Sequence, residues 1–358
     1  YFTPVIWTGT GAAKQIDLGF QPDLVWIKDR STSNNYDMRV FDSIRGMKGE
    51  TSKALYLDTS DAEATNNGGG SNNDGALTAN ATGFLISTSG DRINKNTSPM
   101  VAYGWKAGGN KGTWNVDGED RGSASAAGLT AGDTSVLTGC SINTKAGFSI
   151  VTYTQDSGGA SKNIAHGLSK APSFVIMKHV NNSSSWYTVH TGIENVGKIL
   201  YTDSNSQQDT SSDFGGAWPG TTYTATSTTG VSGRQLVLYS WTNTKGVQWF
   251  GQYEGNGNSS KGVYVNLGFK PAMLWIKRTD ASDNWILFDN KRETINPRQN
   301  VFRTNSYTGE DSSSTIYVDF INDGFKMYNT ANEANSGGAK YLYMAWAEQP
   351  TFNLYGTQ

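Results

Sequence analysis

Cysteine and histidine are almost missing from this chain, whose 358 residues include one Cys and three His. The lone Cys140 cannot close an internal disulfide. A chain of this length buries enough surface to be stable without one, so its synthesis does not require an oxidising compartment. Neither residue type recurs at metal-ligand spacing, and no Gly-x-Ser-x-Gly nucleophile elbow is present, so the reading carries no catalytic residue, no metal and no cofactor. His166 stands before a turn glycine, where capping or hydrogen bonding is its natural task. Charge is also sparse. Only 17% of residues are charged, the net charge is −2 and the basic residues are scattered, which leaves no electrostatic footprint for nucleic acid. No apolar run approaches the length of a bilayer span, which argues against membrane insertion. No signal-peptide pattern opens the chain, although a first residue of Tyr is compatible with an upstream segment.

What the chain has is glycine, small polar residues and aromatics: 42 Gly, and 12% Phe, Trp and Tyr. That composition favours many short strands joined by turn-rich loops. One stretch organises the rest. Gly19-Phe20-Gln21-Pro22-Asp23-Leu24-Val25-Trp26-Ile27-Lys28 is a Gly/Pro turn followed by an apolar run too short for a buried helix, hence a core strand. It returns as Gly268 to Lys277, and as Gly167 to Lys178 with two residues inserted before the proline. Lys28 and Lys178 are 150 positions apart, and Lys178 and Lys277 are 99 apart. The true repeat is therefore about a hundred residues, the size of a small β-sandwich or jelly-roll-like unit and too long for a propeller blade. The expected fold is all-β, with three tandem repeats. Module one spans 1–106, a Gly/Ser/Thr-rich connection or small added subdomain spans 107–146, module two spans 147–246 and module three spans 247–358. Internal repetition also allows a pseudo-threefold assembly of the modules.

Within module one, Tyr36 to Asp42 alternates like a half-exposed strand, and Gly83 to Ser87 with Met100 to Lys106 reads as a closing hairpin. Asn66 to Asp74 can bury nothing and reads as a surface loop. Module two lacks a Gly-Phe pair where Gly83-Phe84 stands, so its penultimate strand aligns least well.

Repeats act as a filter, because a residue present in every copy serves the fold. Trp7, Tyr153 and Tyr253 share a register, as do Trp26, Ile176 and Trp275, and Trp105, Trp241 and Trp346. Trp186 and Trp285 match Tyr36. Burying such rings is the largest available source of core energy. The registered Lys28, Lys178 and Lys277 read as snorkelling side chains at strand ends. Three tryptophans fall outside the register and are the ligand-binding candidates: Trp218, Trp114 and Trp249. Trp218 sits in the loop Phe214 to Gly220, where its ring either faces a sugar or partner or folds back over its own module. Trp249 aligns with Ser149 and Thr3, a position suited to packing between modules. Asp117-Gly118-Glu119-Asp120 lacks the alternating ligands of a calcium loop and reads as a solvated turn.

Asn143 to Tyr153 and Ile164 to Pro172 resemble a repeated domain of uncharacterised function found in virion proteins of tailed bacteriophages, including cyanophages. Leu18 to Lys28, Phe41 to Gly46 and Trp105 to Gly109 resemble its first copy, and Gly268 to Glu348 its last. The resemblance spans nearly the whole chain and supplies no catalytic motif. It implies a virion component assembled in the host cytoplasm, namely a tail fibre or other host-facing appendage. The implied partners are other virion proteins and a host-surface glycan or protein, and the implied state is a homotrimer. A capsid decoration or other architectural protein is the alternative. A glycan-depolymerising tailspike, its carboxylate pair meeting only in space, is a third reading.

Overall fold

The computed structural model describes residues 1–49, 52–65, 76–87, 91–156, 161–193, 197–210, 220–225, 231–313 and 315–350, and nearly all of its regular elements are β-strands. Trp218 and the Asn66 to Asp74 segment lie outside the described residues.

Each organising stretch opens on a left-handed glycine: φ is +82° at Gly19, +71° at Gly167 and +71° at Gly268. Glycine adopts that conformation at no steric cost, and the proline that follows fixes the chain for entry into a strand. The strands are Leu24–Asp29, Phe174–His179 and Pro271–Arg278.

Three larger sheets share one strand order. In the first, Phe2–Thr8 pairs with Pro99–Trp105, followed by Leu24–Asp29, Arg39–Asp42, Lys53–Tyr56 and Ala64–Thr65. The third repeats this with Gln248–Glu254, Lys340–Ala347, Pro271–Arg278, Ile286–Asp289, Asn300–Arg303 and Asp311–Ser312. The second uses Phe148–Thr154, Gln235–Trp241, Phe174–His179, Tyr187–His190, Lys198–Tyr201 and Asp209–Thr210. A smaller sheet accompanies each, built around Lys14–Asp17 with Gly83–Ile86, Lys162–Ala165 with Thr222–Ala225, and Val263–Asn266 with Gly324–Met327. Among the described residues no sheet closes into a barrel. Each unit is thus a large sheet with a small one over it, and Tyr223 takes the place of Phe84 and Phe325 in the penultimate strand.

The organising strands are buried on both faces, which explains their unbroken apolar runs. Val25 and Ile27 pack with Phe84 and Ile86 in a core belonging to the first unit. Leu24 and Trp26 face the other way, into a cluster that draws on all three units. Trp105, Trp241 and Trp346 meet there, each pair edge-to-face, with centroids 6.3, 5.5 and 6.0 Å apart. Their indole N–H groups have no nitrogen or oxygen partner among the described residues, and T-shaped packing sets ring edges against the negative faces of neighbouring rings. The three units therefore close around a shared aromatic centre.

Several local expectations need correction. Arg39–Asp42 is buried on both faces, not half-exposed. Gly83–Ile86 pairs with Leu77–Asn80 in the small sheet, whereas Pro99–Trp105 lies inside the large one, so the two form no hairpin. Met38, not Tyr36, corresponds to Trp186 and Trp285. The backbone N–H of each of the three donates to an equivalent side-chain oxygen, on Asp58, Asp203 and Asn305 respectively. Residues 107–146 supply Leu137–Asn143, antiparallel to Phe148–Thr154, then Trp114–Val116 and Glu119–Asp120, extending the second sheet to nine strands.

Candidate functional site

The seams between units are stitched in a cycle. Lys28 Nζ donates to Tyr36 O of its own unit at 2.5 Å and to Tyr307 O of the third at 2.9 Å. Lys178 joins Ser184 O at 2.5 Å and Ser60 O of the first unit at 2.9 Å, and Lys277 joins Asp283 O at 2.9 Å and Asn205 O of the second at 3.3 Å. These lysines do not snorkel. Their exposures are 2, 0 and 0%, and burial holds each down to about 8. Backbone bonds follow the same cycle: Glu63 N to Val180 O, Gln208 N to Thr279 O and Glu310 N to Arg30 O.

Two seams carry a buried polar node. Tyr239 Oη donates to Asp42 Oδ2 at 2.6 Å, Arg45 Nε reaches the same carboxylate at 2.5 Å, and Arg45 Nη1 reaches Glu63 at 2.7 Å. Tyr103, Asp289, Arg292 and Glu310 repeat this set. Burial pushes the Asp289 carboxyl up, but Arg292 and the hydrogen bonds around it outweigh that and hold it below its ordinary value. At the second–third seam the matching positions are Met344, His190, Ile193 and Gln208. His190 Nδ1 accepts from Gly192 N at 2.9 Å, so Nε2 carries the proton and donates to Tyr343 O at 3.3 Å. Burial pushes His190 down to about 4, leaving it neutral.

The two charged seams also differ two residues after the registered lysine. Arg30 lays its guanidinium across the third–first seam onto both oxygens of Glu310, at 3.1 and 3.0 Å. The equivalent residue at the first–second seam is Val180, which cannot reach. Glu63 instead takes Lys53 of its own unit at 2.9 Å, and a cleft of about 260 Å³ opens beside them. Its walls include Ile44 and Val180, with Thr152 and Gln235 where the first unit has Ile6 and Pro99. Thr138, from the added strand Leu137–Asn143, completes the rim and donates to Thr152 Oγ1 at 2.9 Å. Arg45 and Glu63 line this cleft with side chains only 4 and 8% exposed.

A second cleft, of about 320 Å³, lies where the first unit meets the 107–146 stretch. Buried Asp23 lines it, accepting from Ala107 N at 2.7 Å and Gly109 N at 3.1 Å. Burial pushes its carboxyl up to about 6 against these bonds and the Ser43 and Ser141 hydroxyls. Gly108 in that turn cannot carry a side chain, since a Cβ would sit 2.5 Å from Asn115 O. Lys106 and Lys145 stand exposed at the rim. Asp117 caps Thr144 through its backbone N–H and hydroxyl, and Glu119 pairs with Lys111.

Among the sequence candidates, Trp114 lies half-buried on Trp114–Val116 against the second unit's core, and Trp249 is 37% exposed on Gln248–Glu254. His166 is a turn cap, accepting from Leu168 N at Nδ1 and meeting Gly220 O at Nε2. The structure does not bring these residues together. Glu63, Lys53, Val180, Thr138 and Gln235 were missed. Aligning the repeats two positions past Lys28, Lys178 and Lys277 exposes the Arg, Val and Thr difference that marks the cleft.

The chain belongs to the family of a domain of unknown function, DUF7483, whose model matches residues 1–350. No curated protein and no solved structure matches it.

Proposed function

We propose that this member of a family without an assigned activity is a bacteriophage virion protein, part of a tail fibre or similar host-facing appendage, that binds a host-surface glycan or protein without transforming it. The observation that carries the reading is the polar cleft at the seam where repetition is broken. Three units locked around one aromatic centre make a rigid frame, and a frame of that kind holds a preformed cleft without ordering cost on binding. The resemblance to phage virion domains supplies the setting, with other virion proteins and copies of the chain in a homotrimeric fibre as partners. No helix among the described residues is long and apolar enough to cross a membrane.

An architectural role is the second reading, and exposed Ile295 and Tyr264 of the third unit are the side chains it would use. Antibody labelling of intact virions in the electron microscope separates the two. Label on projecting fibres supports adhesion, and label spread evenly over the head leaves a decoration protein.

A further inference from the structure

We propose that the cleft at the first–second seam is a binding site for a neutral saccharide of one or two rings, an inference that rests on the adhesion reading above. Charge comes first. Arg45 pairs with Asp42 and Glu63, and Lys53 pairs with Glu63, so two cations meet two carboxylates and no charge is left seeking a counter-ion. An anionic ligand would meet Glu63, and a cationic one would meet Arg45 and Lys53. A sugar hydroxyl both donates and accepts, and can bridge the Glu63 carboxylate and the Lys53 ammonium without disturbing either pair.

Shape agrees. At about 260 Å³ the cleft falls just below the range of about 300–1,000 Å³ typical of sites for larger ligands. Thr152, Thr154, Thr138 and Gln235 add neutral donors and acceptors, and Ile44 and Val180 offer an apolar wall to a C–H face.

The repeats argue that this arrangement serves a ligand and not the fold. The third–first seam reaches the same charge balance with Arg30 filling the space over Glu310. Closing the ring therefore does not require a cleft. Val180, Thr152, Gln235 and Thr138 depart from the first unit at one place, and Thr138 comes from a strand that the first and third sheets do not have.

The test is an array of neutral and acidic oligosaccharides probed with the full chain, followed by titration of the best binder. Val180→Arg copies the Arg30 arrangement and fills the cleft, so affinity should fall at least tenfold while the melting temperature holds. Thr138→Arg, at an exposed position, fills the cleft from its rim should Val180→Arg fail to fold. Arg30→Val, at the other seam, should bind like the parent chain. Neutral-sugar binding that survives both filling variants overturns the site but leaves the adhesion reading intact. Binding only to acidic glycans, abolished by Lys106→Glu and Lys145→Glu, also overturns it in favour of the Asp23 cleft. Absence of binding to any saccharide overturns it as well, and virion labelling then decides the adhesion reading independently.

Discussion

The Tyr103 hydroxyl donates to Asp289 at 2.7 Å, joining residues 186 positions apart across the third–first seam. Tyr239 and Asp42 repeat the bond at 2.6 Å across the first–second seam. At the second–third seam tyrosine, aspartate and arginine all change together, to Met344, His190 and Ile193. The joint change has a physical cause: a buried carboxylate without its guanidinium is more costly than an apolar substitute for the whole set.

His190→Asp alone should therefore destabilise the chain by about 3–5 kcal/mol, because it buries a charge opposite Ile193 and Met344. The triple variant with Ile193→Arg and Met344→Tyr rebuilds the node and should recover most of that loss. Chemical denaturation of the single and triple variants measures both, and a triple variant no better than the single would refute the node.

Acid should weaken the same seam. His190 is held near 4 when folded and returns to about 6.5 when unfolded, so between those values the unfolded chain binds the extra proton. Its contribution is complete above pH 6.5 and is lost as pH falls towards 4, at about 1.4 kcal/mol for each unit. Stability of the parent chain should fall more steeply over that window than stability of His190→Gln, and parallel curves would count against a neutral buried histidine.

Trp105→Ala removes a ring from the shared centre, and Phe84→Ala removes one from the first unit's own core. Both should cost about 3–5 kcal/mol. Hydrogen exchange distinguishes them. The first should raise exchange in the large sheets of all three units, and the second mainly in the first unit. Local exchange in both cases would mean that the units are not coupled through their centre.

Lys178→Met leaves the carbonyls of Ser60 and Ser184 without their ammonium donor. A loss of about 1–3 kcal/mol is expected, concentrated at the first–second seam. An unchanged denaturation midpoint would return the registered lysine to the role of a surface side chain.

Much of the fold was legible because its signals are local. The left-handed Gly19, the proline after it and the run Leu24 to Ile27 specify a turn and a buried strand within ten residues, and the recurrence of that phrase marked the repeats. The failures were non-local. Lys28 looked like a snorkelling residue because its acceptor Tyr307 O lies in another unit. Aromatic character matches Tyr36 to Trp186, whereas backbone capping aligns an aliphatic Met38. The cleft was invisible for the same reason. Glu63, Val180 and Thr138 come from three separate stretches, and only ring closure brings them to one seam. Side-chain type alone points to lone tryptophans, while the departure from register beside the cleft is a valine in place of an arginine.

The saccharide site is tested most directly by a crystal of the full chain soaked with a neutral oligosaccharide that it binds in solution. A sugar ring is expected beside Val180, with hydroxyls on Glu63 and Lys53. A ring bound between Lys106 and Lys145, or stacked on Trp249 with the Val180 cleft empty, would contradict it.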